Sequence, residues 1–252
     1  MDARAASFSP LVSVVVPTLN EHENIALLLP AIRRSLEGIA FEVLVVDDAS
    51  SDGTAAVVAE DARGHSNVHL LQRPEKMGLS SAVLEGAARS AGSIVVMMDA
   101  DFSHDPAVLP MLVRRVQAGH DVAIGSRYTR GGSLRGWPFH RRVGSALLTK
   151  LVGTVFHLHV RDPLSGFAAF RRSTLEGLPT RFSGRGFKLL LEVLATQPSL
   201  RVSEVPITFV DRARGTSKLG LGEIRELLML CYRLIRWRGA FPLEGEIQRR
   251  VG

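Results

Sequence analysis

The sequence is short of thiols. Of 252 residues only Cys231 carries one, so no internal disulfide can form, and a reducing compartment is expected. No run reaches the roughly 18–20 uninterrupted apolar residues that a membrane span requires, and no secretory leader is visible in the polar stretch 1–10. No Gly-x-Gly-x-x-Gly follows the first apolar strand, which removes the dinucleotide-binding fingerprint. Aromatics are sparse at 6%. Together with the clustered acids of the first half, the aromatic-poor loops argue against a nucleic-acid partner.

What is present is a chain that can bury a sizeable core, with 46% hydrophobic and 22% charged residues. Its net charge of +6 is unevenly spread. Residues 1–126 carry 9 Lys/Arg against 16 Asp/Glu, a net of −7, and residues 127–252 carry 22 against 9, a net of +13. An acidic half is thus joined to a basic half suited to anionic partners, and nucleic acid, anionic lipid and phosphorylated substrates would each satisfy that charge.

Apolar, β-branched runs at 11–16, 41–46, 68–72, 94–98 and 122–125 read as strands, and helical patterns lie between them at about 21–36, 55–62, 79–90 and 108–118. This alternation with short connections predicts an α/β fold whose central sheet is mainly parallel and flanked by helices. Further on, Gly131-Gly132-Ser133 reads as a flexible loop, 141–158 as a helix, 168–170 as a strand, and 186–196 as a helix containing Glu192. Val202–Val210 reads as an edge strand interrupted by Pro206, and 222–238 as a last helix. The expected organisation is a loose 1–10, a single domain over 11–240, and a tail at 241–252. Within the domain, 11–126 is expected to carry the candidate metal ligands and 127–240 to meet an anionic partner. The helices 141–158 and 222–238 carry apolar faces flanked by cations, which suits either core packing or an interfacial position on lipid.

Two strands end in paired carboxylates. Asp47-Asp48 follows one, and Asp99-Ala100-Asp101 follows the run Ile94–Met98. The carboxyl edge of a parallel strand is where open α/β sheets bind ligands. Carboxylate oxygens are hard ligands suited to Mg²⁺ or Mn²⁺, which take the rest of their shell from water and substrate phosphates. One of Asp47 and Asp48 is expected to cap the next helix and the other to face ligand. The stretch 211–218, with Arg212, Arg214 and Lys218 among small residues, reads as a phosphate clamp.

The motifs in order are Val-Val-Pro-Thr-Leu-Asn-Glu (15–21), Val-Val-Asp-Asp-Ala-Ser (45–50), Lys-Met-Gly-Leu-Ser-Ser-Ala (76–82) and Met-Asp-Ala-Asp-Phe-Ser-His-Asp-Pro (98–106). They continue with Gly-Ser-Arg-Tyr (125–128), Asp-Pro-Leu-Ser-Gly-Phe (162–167) and Glu-Val-Pro-Ile-Thr-Phe-Val-Asp-Arg (204–212). This set resembles the inverting family 2 glycosyltransferases, and within them the dolichol-phosphate (polyprenol-phosphate) mannosyltransferases, over nearly the whole chain. The resemblance implies a GT-A type nucleotide-sugar transferase fold, GDP-mannose as donor, a polyprenyl (dolichyl-type) phosphate as acceptor, and Mg²⁺ or Mn²⁺. Carried over by motif, Pro17, Leu19, Glu21, Val46 and Asp48 would contact the guanosine, and Asp99, Ala100 and Asp101 the diphosphate and metal. Ser103 stands where some relatives place a third metal ligand, Gln, and its shorter side chain suggests an intervening water. Arg127, Arg212 and Lys218 would neutralise phosphate charge, and Arg127, Arg141 and Ser145 would receive the acceptor phosphate. Asp101 and Arg127 are the residues expected at the catalytic step.

The reaction so implied is a single displacement at the anomeric carbon. A phosphate monoester, with a second pKa of about 6, is already anionic at neutral pH, so no strong general base is required. A polyprenyl-phosphate glucosyltransferase using a uridine donor keeps the same chemistry, and a nucleotide-sugar-binding module without turnover is the alternative of a different class. The expected location is cytoplasmic, peripheral on the cytoplasmic face of a membrane, held there by the chain's own helices or by a membrane-anchoring partner protein.

Overall fold

The computed structural model describes residues 12–179, 188–211 and 221–240. Arg212 and Lys218, with the rest of the expected phosphate clamp beyond Asp211, lie outside the described residues, as do the first ten residues and the tail.

The first five strands are β1 (Val12–Thr18), β2 (Phe41–Asp47), β3 (Val68–Gln72), β4 (Ile94–Met97) and β5 (Val122–Ser126). Between them run α1 (His22–Ser35), α2 (Thr54–Gly64), α3 (Leu79–Arg89) and, after a 3₁₀ turn at Pro106–Val108, α4 (Leu109–Gln117). The second half adds β6 (Ser133–Arg135), α5 (Phe139–Val155), β7 (Ala168–Arg171), α6 (Arg172–Glu176) and α7 (Leu189–Thr196). It closes with β8 (Val202–Pro206), β9 (Thr208–Val210) and α8 (Leu221–Ala240).

Among the described residues, seven strands form one sheet in the order β3-β2-β1-β4-β7-β5-β8. Every pairing is parallel except those of β7, which runs antiparallel to both β4 and β5. The sheet is therefore mainly parallel, as the strand–helix alternation predicted. The run 202–210 is not one strand: Pro206 ends β8 at the sheet edge, and β9 leaves to pair with β6 in a separate two-stranded parallel ribbon. Ser133, expected in a flexible loop, is the first residue of that ribbon, paired with Thr208.

Continuous apolar strands need cover on both faces. One face is closed by α1, α2 and α4 through Leu28, Ile32, Val58, Leu112 and Val116 against Val14, Val45 and Val96. The other is closed by α3, α6 and α7, with Val83, Leu175, Leu190 and Val193 packed on Val15, Val95 and Phe170. Gly86 lets α3 lie close, since a Cβ there would stand 2.5 Å from Val15 Cγ1. A third apolar cluster joins α5, α7 and α8 through Val152, Phe156, Leu191, Leu227 and Leu234.

The strand order places β1 between β2 and β4, the point at which the winding direction reverses. Such a switch point opens a crevice at the carboxyl edge. Of the four described non-glycine residues with positive φ, three sit at this edge: Asn20 (58°) after β1, Ala49 (56°) after β2 and Phe102 (57°) after β4. Backbone held in this region costs about 1–3 kcal/mol per residue and persists where the surrounding structure over-determines it, a situation that clusters at ligand sites.

Candidate active site

The loop after β2 is braced from within. The Asp47 carboxylate accepts from the Thr18 hydroxyl at 2.9 Å and the Ser50 N–H at 3.0 Å. Asp48 accepts from the buried Arg73 guanidinium and from the N–H groups of Met77 (3.2 Å) and Gly78 (3.0 Å). Arg73 in turn donates to Ser81 Oγ at 2.7 Å, tying β2, β3 and the start of α3 together. Neither aspartate caps a helix. Asp52, one residue before the N-cap Gly53, instead links the starts of two helices, taking the N–H of Thr54 and, with its other oxygen, the N–H of His22, both at 3.0 Å. The expected division between a capping and a ligand-facing carboxylate therefore does not describe this pair.

Among the residues expected at the guanosine, Leu19 is exposed and Pro17 and Glu21 are half-buried at the end of β1. Val46 is fully buried under α3, so its side chain belongs to the core and does not reach the crevice.

At the tip of β4, Asp99 and Asp101 differ in depth. The Asp99 side chain keeps 24% exposure, whereas Asp101 is 5% exposed and accepts the N–H of Ser103 at 3.0 Å. Ala100 and Ser103 are buried, and Ser103 is tied through its backbone at both ends, its carbonyl accepting from Val210 N–H at 3.2 Å. Gly166 leaves room for Asp99, because a Cβ at that position would lie 2.9 Å from Asp99 Oδ2. Among the described residues no three His, Cys, Asp or Glu side chains gather closely enough to enclose a metal ion by themselves. Mg²⁺ and Mn²⁺ do not require that, since one or two carboxylates plus water and substrate phosphate complete their shell. A paired set of hard oxygens, one partly open to the crevice, fits such an ion.

Behind Asp99 lies His104, stacked on Phe167 with ring centres 5.0 Å apart and edge-on to Phe209 at 5.4 Å. Burial pushes its pKa down to about 4, with Asp101 and Asp162 acting in the opposite sense, so the imidazole is neutral at pH 7. Phe209 also meets Trp137 edge-on at 5.4 Å. A row of rings thus leads from the β4 tip to the β6–β9 ribbon.

The expected acceptor residues gather along this row. The Arg127 guanidinium lies 5.6 Å from the Phe209 ring centre and 5.3 Å from that of Tyr128. Tyr128 donates its hydroxyl to Ser145 Oγ at 2.8 Å. Arg141 stacks on Trp137 at 4.0 Å and pairs with Asp211 at 3.2 Å. Arg127, Arg141 and Ser145 are thereby drawn to one side of the β4 tip, but each has a protein partner as well.

Four contributors were not singled out as site residues from sequence: Arg73, His104, Asp162 and Lys188. Asp162 binds Arg127, and Lys188 donates to the Leu164 carbonyl at 3.2 Å while adding positive charge near His104. His104 and Asp162 do lie inside quoted motifs, and that was the available signal. The motif 162–167 services the whole site: Asp162 on Arg127, Ser165 on the Gly125 carbonyl, Gly166 on Asp99, Phe167 on His104.

Residues 13–178 match the family model described as glycosyl transferase family 2. The chain belongs to glycosyltransferase family 2. It is 41% identical to a dolichol-phosphate mannosyltransferase of Pyrococcus furiosus over 242 residues, covering 95% of this chain and 66% of that protein. It is 37% identical to a polyprenol monophosphomannose synthase of Mycolicibacterium smegmatis over 246 residues, covering 95% of this chain and 89% of that one. The chain therefore spans just under two thirds of the length of the Pyrococcus relative. In structure it is similar to glucosyl-3-phosphoglycerate synthase from Mycobacterium tuberculosis, solved with Mn²⁺, UDP and phosphoglyceric acid. The TM-score is 0.68 at 24% identity, covering 94% of this chain and 81% of that one, a likeness that establishes the GT-A-like fold of this family 2 member.

Proposed function

We propose that this family 2 glycosyltransferase transfers mannose from GDP-mannose to a polyprenyl monophosphate with inversion. The names of the two mannosyl-transferring relatives support the sugar and acceptor class. The observation that carries the reading is the chain of contacts from the β4 tip, with His104 3.9 Å from Asp99, Phe209 against His104, Arg127 and Trp137 against Phe209, and Arg141 stacked on Trp137. On this reading the carboxylates would hold the cation that meets the donor diphosphate, and the guanidinium groups would meet the acceptor phosphate. The nucleoside is assigned to Pro17, Leu19 and Glu21, with Asp48 acting through the loop it braces with Arg73.

A divalent Mg²⁺ or Mn²⁺ held by Asp99 and Asp101 would neutralise the departing diphosphate. The chain's own work is to align two anions. The acceptor phosphate is ionised at neutral pH and needs no base. Arg127 and Arg141 hold it, Ser145 donates to it, and the phosphate oxygen attacks the anomeric carbon opposite the leaving diphosphate. Each well-placed donor of this kind contributes about 3–4 kcal/mol to the transition state. Arg212 and Lys218 are assigned to the donor phosphates from the resemblance.

The acceptor's lipid places the reaction at a membrane surface, and α5 is suited to one. Phe139, Val143, Leu147, Leu151 and Val155 recur every four residues and are 79, 39, 63, 60 and 43% exposed. Leu228, Met229, Tyr232 and Ile235 of α8 are exposed too, and Arg142, Lys150, Arg225 and Arg236 stand among these side chains. None of the described helices is long and apolar enough to cross a bilayer. We assign the chain to a peripheral position on the cytoplasmic face, through these helices or with an anchoring partner.

The deciding experiment incubates the full chain with radiolabelled GDP-mannose, Mg²⁺ or Mn²⁺ and a polyprenyl phosphate, then extracts into organic solvent. Label in the lipid phase that unlabelled GDP suppresses and UDP does not is the expected result. Transfer from UDP-glucose alone would refute the mannosyl reading.

A further inference from the structure

Buried polar atoms are nearly always satisfied, and one left alone costs about 1–3 kcal/mol. His104 Nδ1 is such an atom: the residue is 2% exposed, and Nδ1 has no hydrogen-bond partner among the described residues. It stands 3.9 Å from Asp99 Oδ2, too far for a bond and near enough for a small side-chain rotation to make one. The ring cannot turn away freely, held flat on Phe167 and edge-on to Phe209. Gly166 keeps the gap between the two side chains clear, since a Cβ there would stand 2.9 Å from Asp99 Oδ2 and 3.5 Å from His104 Cε1.

Depth decides what the imidazole does. Asp99 retains 24% side-chain exposure toward the crevice, and the His104 side chain only 2%, so the ring backs the carboxylate. Ions of the Mg²⁺ and Mn²⁺ class are met from the crevice side, together with water and diphosphate oxygens. A donor behind a ligating carboxylate fixes which oxygen is presented and tunes its basicity, as partners one layer out from a metal commonly do.

We infer that His104 is a positioning residue for Asp99: with the proton on Nδ1 it donates to Asp99 Oδ2 when cation and nucleotide diphosphate are seated. The inference rests on the metal-dependent reading of the site given above. It assigns a role to a residue outside the Asp99, Asp101 and Ser103 set expected from sequence.

The test measures Mn²⁺ binding to the full chain in the presence of GDP by electron paramagnetic resonance, with no turnover required. His104→Phe keeps a flat ring in the stack and removes both nitrogens. Its Mn²⁺ affinity is expected to fall by about 10–100-fold. His104→Asn carries an amide N–H close to the place of Nδ1 and should return the affinity nearly to wild type. Undiminished affinity in His104→Phe, with wild type binding normally, overturns the inference alone. Failure of wild type itself to take up Mn²⁺ with GDP removes the metal reading and the inference with it. A measurement on unaltered protein stands beside these in case His104→Phe does not fold: ¹⁵N resonances of the histidine side chains with Mg²⁺ and GDP. A protonated Nδ1 on His104 supports the role, and an unprotonated Nδ1, with the proton on Nε2, overturns it.

Discussion

Asp162 takes three hydrogen bonds from Arg127: its backbone N–H at 2.9 Å, Nε at 2.7 Å and Nη2 at 2.7 Å. The carboxylate is fully buried and the guanidinium side chain 10% exposed. Burial opposes the charge on Arg127, and the Asp162 hydrogen bond and charge outweigh it, so the guanidinium pKa is raised. Removing one member of such a pair strands the other, at about 3–5 kcal/mol. Asp162→Ala should lose stability on that scale in urea titration. The double variant Asp162→Leu/Arg127→Met should recover much of it and still fail to transfer mannose. Recovery of transfer in the double variant would show that Arg127 only holds the fold.

Asp101→Ala should abolish transfer, by at least about 100-fold, the scale of losing one preorganised electrostatic group. Its circular dichroism spectrum and melting behaviour should stay close to wild type. Full activity with metal present would dismiss the carboxylate from the mechanism.

Gly166→Ala tests the space around Asp99. The added methyl would press on Asp99 Oδ2 from 2.9 Å and displace the carboxylate, while the chain around it folds as before. We expect a raised metal requirement in the transfer assay and a small change in melting temperature. An unchanged metal dependence would mean that Asp99 has freedom to spare.

Glu192 makes stability pH-dependent. It sits in α7, 1% exposed, and burial raises its pKa to about 8 from the usual 4.5, with Arg233 of α8 acting in the opposite sense. The folded chain holds this proton more tightly than the unfolded one. The resulting stability is full below pH 4.5 and is lost as pH rises through about 8. Glu192→Gln should therefore raise the melting temperature at pH 8–9, relative to wild type, and change it little near pH 5. An equal shift at both pH values would argue that the carboxyl is not protonated in the fold.

Leu147→Asp and Leu151→Asp address the apolar face of α5. Both side chains are at least 60% exposed, so the fold should tolerate the change within about 0.5 kcal/mol. Sedimentation with anionic vesicles should drop for each variant, and transfer to a short water-soluble acceptor should persist. Vesicle binding that survives both changes would move the contact elsewhere.

Much of this molecule was legible one residue at a time. Strands buried on both faces must be continuous apolar runs, so β1, β2 and β4 and the carboxylates at their ends stood out without any knowledge of partners. The helices followed from periodicity, and the polarity of the two halves from counting charge. Those properties are local, and a linear chain displays them.

What tertiary structure decided was pairing. Val46 reads like any residue at a strand end, and only the approach of α3 buries it. Asp48 reads as a ligand-facing acid until Arg73, 25 residues on, closes over it. Asp162 meets Arg127 across 35 residues, and Ser133 finds Thr208 across 75, because β7 and β9 carry the chain back to the β4 tip. An unpartnered nitrogen on His104 is likewise a fact of packing alone. Side-chain types announce what chemistry is on offer, whereas burial and the nearest opposite charge determine which groups remain available to perform it.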